Sequence, residues 1–166
     1  MPPPLPPTRV AHFLPTTHRI VQFSDDRVPP PGARVVYIDG AWDVFHHGHV
    51  EVLRKARELG DFLLVGIHDD AEVRRRRHGA PHLPIMNIHE RTLSVLACRY
   101  VDEVVIGAPE MITEDLLRTF NISLVVHGTV GESSSVIYGA AMGAVPRSIA
   151  FGGRYDLPKA AGIFQV

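Results

Sequence analysis

Between residues 35 and 59 the hydrophobic pattern changes period, and that change fixes where a strand gives way to a helix. The apolar run Val35-Val36-Tyr37-Ile38 reads as a buried strand, and Gly40 breaks it. From Val50 the spacing is helical, with Val50, Leu53, Ala56 and Leu59 on one face. His46-His47-Gly48-His49 therefore stands where the strand has turned and the helix begins. A helix start offers backbone N–H groups without partners and the positive end of the helix dipole, which suits a phosphate. His46 and His49 share one face of the first turn, whereas His47 lies about 100° round from His46. Gly48 has no Cβ, so a ligand can approach the backbone there. Two imidazoles and a glycine-opened helix end read as a phosphate cradle. The competing reading is a metal site on the same histidines. Cys98, the one cysteine, lies far along the chain, and no metal ligand is assigned.

Beyond this junction the elements alternate. Strands are expected over 62–67, 103–106 and 124–127, and helices over 48–59, 71–77, 87–98 and 113–120. Gly60 is expected to stop the first helix through a positive φ. Asn87 with Glu90 reads as a capping box, and Thr113 as a second helix cap. Strand and helix alternating through short connections predict an α/β fold, a Rossmann-like doubly wound parallel sheet. Such sheets bind ligands beyond the carboxyl ends of their strands. His46 and His49, Asp69 and Asp70, Pro109, and His127-Gly128 all fall at that edge.

Before residue 34 the chain changes character. Nine of its 14 prolines lie in residues 1–33, which read as a Pro-rich linker or N-terminal extension. Its more apolar part, 13–23, is read either as docking on a partner surface or as a short strand covering a sheet edge. The domain itself is expected over 34–130, followed by an irregular, truncated segment over 131–166.

Composition excludes several classes. A net charge of −1 gives no general attraction to nucleic acid or an anionic membrane. One cysteine excludes an internal disulfide framework and fits a reducing compartment. No apolar run is long enough to cross a membrane, and the early prolines break up any signal pattern. The default is a cytoplasmic protein of 45% hydrophobic residues, enough for a sizeable core.

Val36-Tyr37-Ile38-Asp39-Gly40-Ala41-Trp42-Asp43-Val44-Phe45-His46, continuing into Gly48-His49, resembles the His-x-Gly-His signature of the nucleotidyltransferase superfamily in its cytidylyltransferase form, in which Phe usually stands where Trp42 is. The run from Pro84 to Pro109, including Asn87-Ile88-His89-Glu90-Arg91 and Arg99-Tyr100-Val101-Asp102-Glu103, is similar to the second domain of the ethanolamine-phosphate cytidylyltransferase family. That resemblance, over roughly residues 13–128, implies the nucleotidyltransferase type of fold and transfer of a cytidylyl group from CTP to phosphoethanolamine, with Mg²⁺ accompanying CTP. It implies catalytic roles for His46, His49, Arg77 and His78. Nucleotide binding would fall to Ala41, Trp42, Asp43, Gly48, Arg91, His127, Gly128 and Thr129. As partner it implies a second cytidylyltransferase domain, in tandem or as a dimer, and as place the cytoplasm, peripheral to the endoplasmic reticulum or outer mitochondrial membrane.

Two features carry a plainer reading too. Arg91 alone reads as a surface helix cation, and Arg74-Arg75-Arg76-Arg77 reads either as a solvated helix face or as a run in which one arginine clamps a phosphate. The family places a lysine before the glycine of this loop, whereas here His78 precedes Gly79. Its Ser/Thr-rich phosphate loop has no counterpart up to Val166, Gly131-Glu132-Ser133-Ser134-Ser135 coming too early. The alternative function is therefore a non-catalytic half that binds nucleotide or packs against its partner.

Overall fold

A computed structural model describes residues 27–76, 82–128 and 154–166. The expectations placed on Arg77, His78 and Thr129, on segment 13–23 and on the serines at 133–135 lie outside the described residues. The elements are β1 (Val35–Gly40), α1 (His47–Arg57), β2 (Phe62–Ile67), α2 (Asp70–Arg76), α3 (Ile88–Leu96), β3 (Glu103–Ile106), α4 (Glu114–Thr119), β4 (Ile122–Val126), α5 (Asp156–Ala160) and β5 (Phe164–Gln165). The strands form one parallel sheet in the order β3-β2-β1-β4-β5.

β1 and β2 are apolar and buried almost throughout because each is covered on both faces. The period of two sends Val36, Ile38, Leu63, Val65 and Ile67 to one face, where Leu53 and Ala56 of α1 and Val95 of α3 meet them. Val35, Tyr37, Phe62 and Leu64 go to the other, against Ile112, Leu116 and Tyr155. The expected parallel α/β sheet is the one observed.

The helix starts follow their caps. Asn87 Oδ1 accepts from the N–H groups of His89 (3.0 Å) and Glu90 (3.1 Å), while Glu90 Oε2 accepts from Asn87 N–H (2.9 Å). Thr113 Oγ1 accepts from Leu116 N–H at 3.2 Å. Gly60 is different: it does not adopt a positive φ. A Cβ there would lie 2.6 Å from Arg34 O and 2.5 Å from Val36 Cγ2, so glycine is needed for close approach to the start of β1.

The closing residues also differ from expectation. Residues 154–166 are not an irregular tail but carry α5 and a fifth strand. β5 pairs Phe164 with Val125 and Gln165 with Val126. Tyr155, 1% exposed, anchors the segment in the second core and packs its ring, tilted, against that of Phe164 at 4.9 Å between centroids. A two-residue strand is too short to show an alternation, so packing rather than pattern defines it.

Candidate functional site

β1 delivers the chain into a loop that only its neighbours hold in place. Trp42 and Val44 have φ of 55° and 48°, the left-handed region that costs a non-glycine residue about 1–2 kcal/mol. Buried Trp42 donates its indole Nε1–H to Gly66 O at 2.8 Å. Asp43 accepts from the N–H groups of Ile85 and Met86, each at 2.8 Å, and from that of Val44 at 3.1 Å. The side chains of Trp42 and Asp43 thus pin the loop.

The loop ends at His46, the N-cap of α1. His46 Nδ1 accepts from Gly48 N–H at 3.0 Å, and His49 Nδ1 accepts from His46 N–H at 3.2 Å. Two imidazoles thus fill the reciprocal roles that Ser/Thr and Glu fill in a capping box. With both Nδ1 lone pairs engaged, each neutral ring carries its proton on Nε2. Both rings can offer an Nε2–H donor, with centroids 4.1 Å apart. His49 is stacked on Phe45 at 5.4 Å and meets the Trp42 ring edge-on at 5.5 Å. Burial first, then the nearby His46, lowers its pKa to about 4. At neutral pH His49 is therefore an uncharged hydrogen-bond donor. His47 is exposed and takes no part in the cap.

Gly48 also has a structural role. A Cβ at this position would lie 2.8 Å from His46 Cε1 and 3.0 Å from its Nδ1, so the missing side chain makes room for the imidazole. Gly48→Ala is expected to displace His46 from the cap at a cost of about 0.5–2 kcal/mol. The urea midpoint of the variant measures this.

Arg91 is neither a surface cation nor exposed to a ligand. It is fully buried. Its Nε donates to Met86 O (3.0 Å), Nη1 to Ala41 O (2.6 Å) and His68 O (2.8 Å), and Nη2 to Asp70 Oδ1 (2.5 Å). One guanidinium therefore ties the β1–α1 loop, the end of β2, the start of α2 and the approach to α3. Its place is beneath the site, where it positions the loop bearing Ala41. Arg75 and Arg76 pair with Glu72, and Arg75 also with Glu110, so these two cations of the arginine run brace α2.

A second polar cluster lies at the carboxyl ends of β1, β2 and β4. Tyr155 donates its hydroxyl to Asp39 Oδ1 at 2.9 Å, leaving the hydroxyl oxygen to accept from His127 Nδ1–H at 3.0 Å. Buried His68 places Nδ1 3.0 Å from Ala108 O, to which it donates. Its Nε2 then accepts from Arg154 Nη2. Burial foremost, with Arg154 and Arg76 adding to it, lowers the His68 pKa to about 4 against the opposing pull of Asp39. A Cβ on Gly128 would lie 3.1 Å from Val52 Cγ1, so this glycine lets the end of β4 pass close to α1.

The structure thus brings Ala41, Trp42, Asp43, His46, Gly48 and His49 together, with Arg91 beneath them and His127-Gly128 following β4. Asp39, His68, Arg154 and Tyr155 were not anticipated. A charged residue closing an apolar strand was a readable sign for Asp39. His68 follows β2 directly, but no sequence pattern marks Arg154 as buried.

Residues 37–134 match the family model described as cytidylyltransferase-like. The chain belongs to the cytidylyltransferase-like family. This cytidylyltransferase-like chain is 60% identical over 159 residues to the ethanolamine-phosphate cytidylyltransferase of Arabidopsis thaliana, covering 96% of the chain and 35% of the relative. It is 48% identical over 160 residues to the protein of that name from Dictyostelium discoideum, covering 96% and 41%. The chain therefore spans 35–41% of the length of these curated relatives. The crystal structure of the lipopolysaccharide core biosynthesis protein from Thermoplasma volcanium shares the fold, with a TM-score of 0.52 at 21% identity over 67% of this chain and 87% of that one. Among the described residues, no helix is long and apolar enough to cross a membrane.

Proposed function

We propose that the chain is part of an enzyme that transfers a cytidylyl group from CTP to phosphoethanolamine, a step toward phosphatidylethanolamine. The paired Nε2–H donors of His46 and His49 at the start of α1 carry this reading. A phosphate oxygen of phosphoethanolamine would attack the α-phosphorus of CTP in line, the bond to the β-phosphate oxygen would break, and pyrophosphate would leave. No protein nucleophile is required, so the protein contributes position and charge stabilisation. The helix end and the two imidazole Nε2–H donors suit phosphate oxygens on which charge builds. Arg77 or His78 would meet the leaving pyrophosphate, and His127, Gly128 and Thr129 the nucleoside side. Mg²⁺ would enter with CTP, held by phosphate oxygens and water. His46 and His49 offer N–H donors rather than lone pairs at this point, which fits an ion carried by the triphosphate.

The relatives' greater length supports a second cytidylyltransferase domain as partner. A groove of about 620 Å³ lined by Phe45, Val50, Ala97, Cys98 and Tyr100 is the surface proposed to receive it. Phe45 stacks on His49, so packing there would steady the imidazole.

Pyrophosphate release from CTP, Mg²⁺ and phosphoethanolamine tests the reading. Each absent charge-assisted contact to the phosphates costs about 1.5–3 kcal/mol, roughly ten- to a hundredfold in rate. Residues 1–166 alone are expected to work orders of magnitude more slowly than a full-length relative, with His46→Ala removing the remainder. Turnover at the relative's rate would show that no second part is needed. Release that survives His46→Ala would place the chemistry elsewhere.

A further inference from the structure

His49 is held on three sides. Its Nδ1 accepts from His46 N–H at 3.2 Å, a bond that fixes one corner of the imidazole but not its tilt. Phe45 stacks on the ring with planes 18° apart, and Trp42 meets it at 65° with centroids 5.5 Å apart. Aromatic rings favour such stacked and edge-on contacts, so these two neighbours set the plane of the imidazole. They are not equally firm. Phe45 is half-buried, whereas Trp42 is 6% exposed.

The indole is fastened to the sheet. Its Nε1–H donates to Gly66 O of β2 at 2.8 Å. At the end of β1, a Cβ on Gly40 would lie 3.1 Å from Trp42 Cε2 and 3.2 Å from Nε1. The indole therefore lies against β1 while it bonds β2, and the parallel pairing of these strands fixes both contacts. This anchorage offsets a backbone φ of 55°, which persists because the side chain is tied down. With its one polar atom committed to a strand carbonyl, the Trp42 side chain has none to offer a nucleotide.

We infer that Trp42 is a positioning residue: its indole, locked to β2, holds the His49 imidazole in the orientation that presents Nε2–H to a phosphate. This rests on the phosphate reading proposed above. The resemblance would make Trp42 a nucleotide contact, whereas its burial against His49 gives it an indirect part. Productive geometry tolerates about 0.5 Å, a precision supplied by side chains that packing and hydrogen bonds lock in place. The same packing keeps water from His49. Burial leads the lowering of its pKa to about 4, ahead of His46 and against the pull of Asp43. Loss of the indole should therefore loosen the ring and let it take up a proton more readily.

A double-mutant cycle on residues 1–166 is the test. CTP with Mg²⁺ is titrated calorimetrically into wild type, Trp42→Phe, His49→Ala and the double variant. Phenylalanine keeps an aromatic ring but has no N–H for Gly66 O. Trp42→Phe should weaken CTP binding about fivefold on its own and less than about twofold beside His49→Ala, because its effect passes through His49. Equal losses in the two backgrounds would mean that Trp42 acts on the nucleotide or the loop independently of His49, and would overturn the inference. An unchanged affinity in Trp42→Phe overturns it too. The His49 ring resonances supply a second readout that needs no CTP. From about pH 8 to pH 5 they should stay close to those of a neutral imidazole in wild type and titrate in Trp42→Phe. No difference between these two proteins also overturns the inference. If Trp42→Phe does not fold, benzothienylalanine in place of the chain's one tryptophan keeps the ring, deletes the N–H and is read by the same cycle. Wild type that binds no CTP removes the phosphate reading together with this inference, whereas equal losses remove the inference alone.

Discussion

Arg91→Met is expected to cost about 3–5 kcal/mol of folding stability, a large part of what a domain of this size possesses. Methionine matches the length of the side chain but returns none of its hydrogen bonds. Ala41 O, His68 O and Met86 O lose a donor, and Asp70 loses its cation. Removing one member of a buried charged network is far more damaging than removing a surface pair, because the remaining polar groups stay out of water. The loop bearing Trp42 and Val44 at positive φ should loosen with it, since Arg91 holds Ala41. Urea denaturation at pH 7 measures the loss. A change below about 1 kcal/mol would restore the surface-cation reading, for which such small effects are usual.

Lowering the pH from 7 to 5 should destabilise the fold by about 2 kcal/mol through His68 alone. Its folded pKa is about 4, below the ordinary value of 6.5. The unfolded chain therefore takes up a proton between these values while the folded chain does not. The stabilisation is complete above pH 6.5 and is lost as the pH falls toward 4. Half-buried His49 acts in the same direction, its effect reduced by solvent. His68→Asn keeps a donor for Ala108 O and removes the titrating group, so its stability should depend less on pH over this range. An equal slope in wild type and variant would mean that His68 does not cause it.

The sequence made β2 and β3 legible because each is an apolar run bounded by residues that break it. The caps at Asn87 and Thr113 were legible because capping is local chemistry between residues two or three apart. The meeting of His46, Gly48 and His49 at one helix start was legible for the same reason, since they lie within one helical turn. What remained hidden depends on distance along the chain. Arg91 reads as an exposed cation until Ala41 and Asp70 are seen to surround it. Gly60 reads as a helix stop until Arg34 O is found where its Cβ would be. Tyr155 and Arg154 reach Asp39 from more than a hundred residues away, and no periodicity records such a meeting.

Calorimetric titration of CTP with Mg²⁺ into wild type, His49→Ala and His47→Ala tests the central claim most directly. If the paired imidazoles hold phosphate through Nε2–H, His49→Ala should weaken binding about ten- to a hundredfold, the worth of one hydrogen bond to a charged group. His47→Ala should bind as wild type does, because its ring lies outside the cap. Equal affinity in wild type and His49→Ala would contradict the assignment.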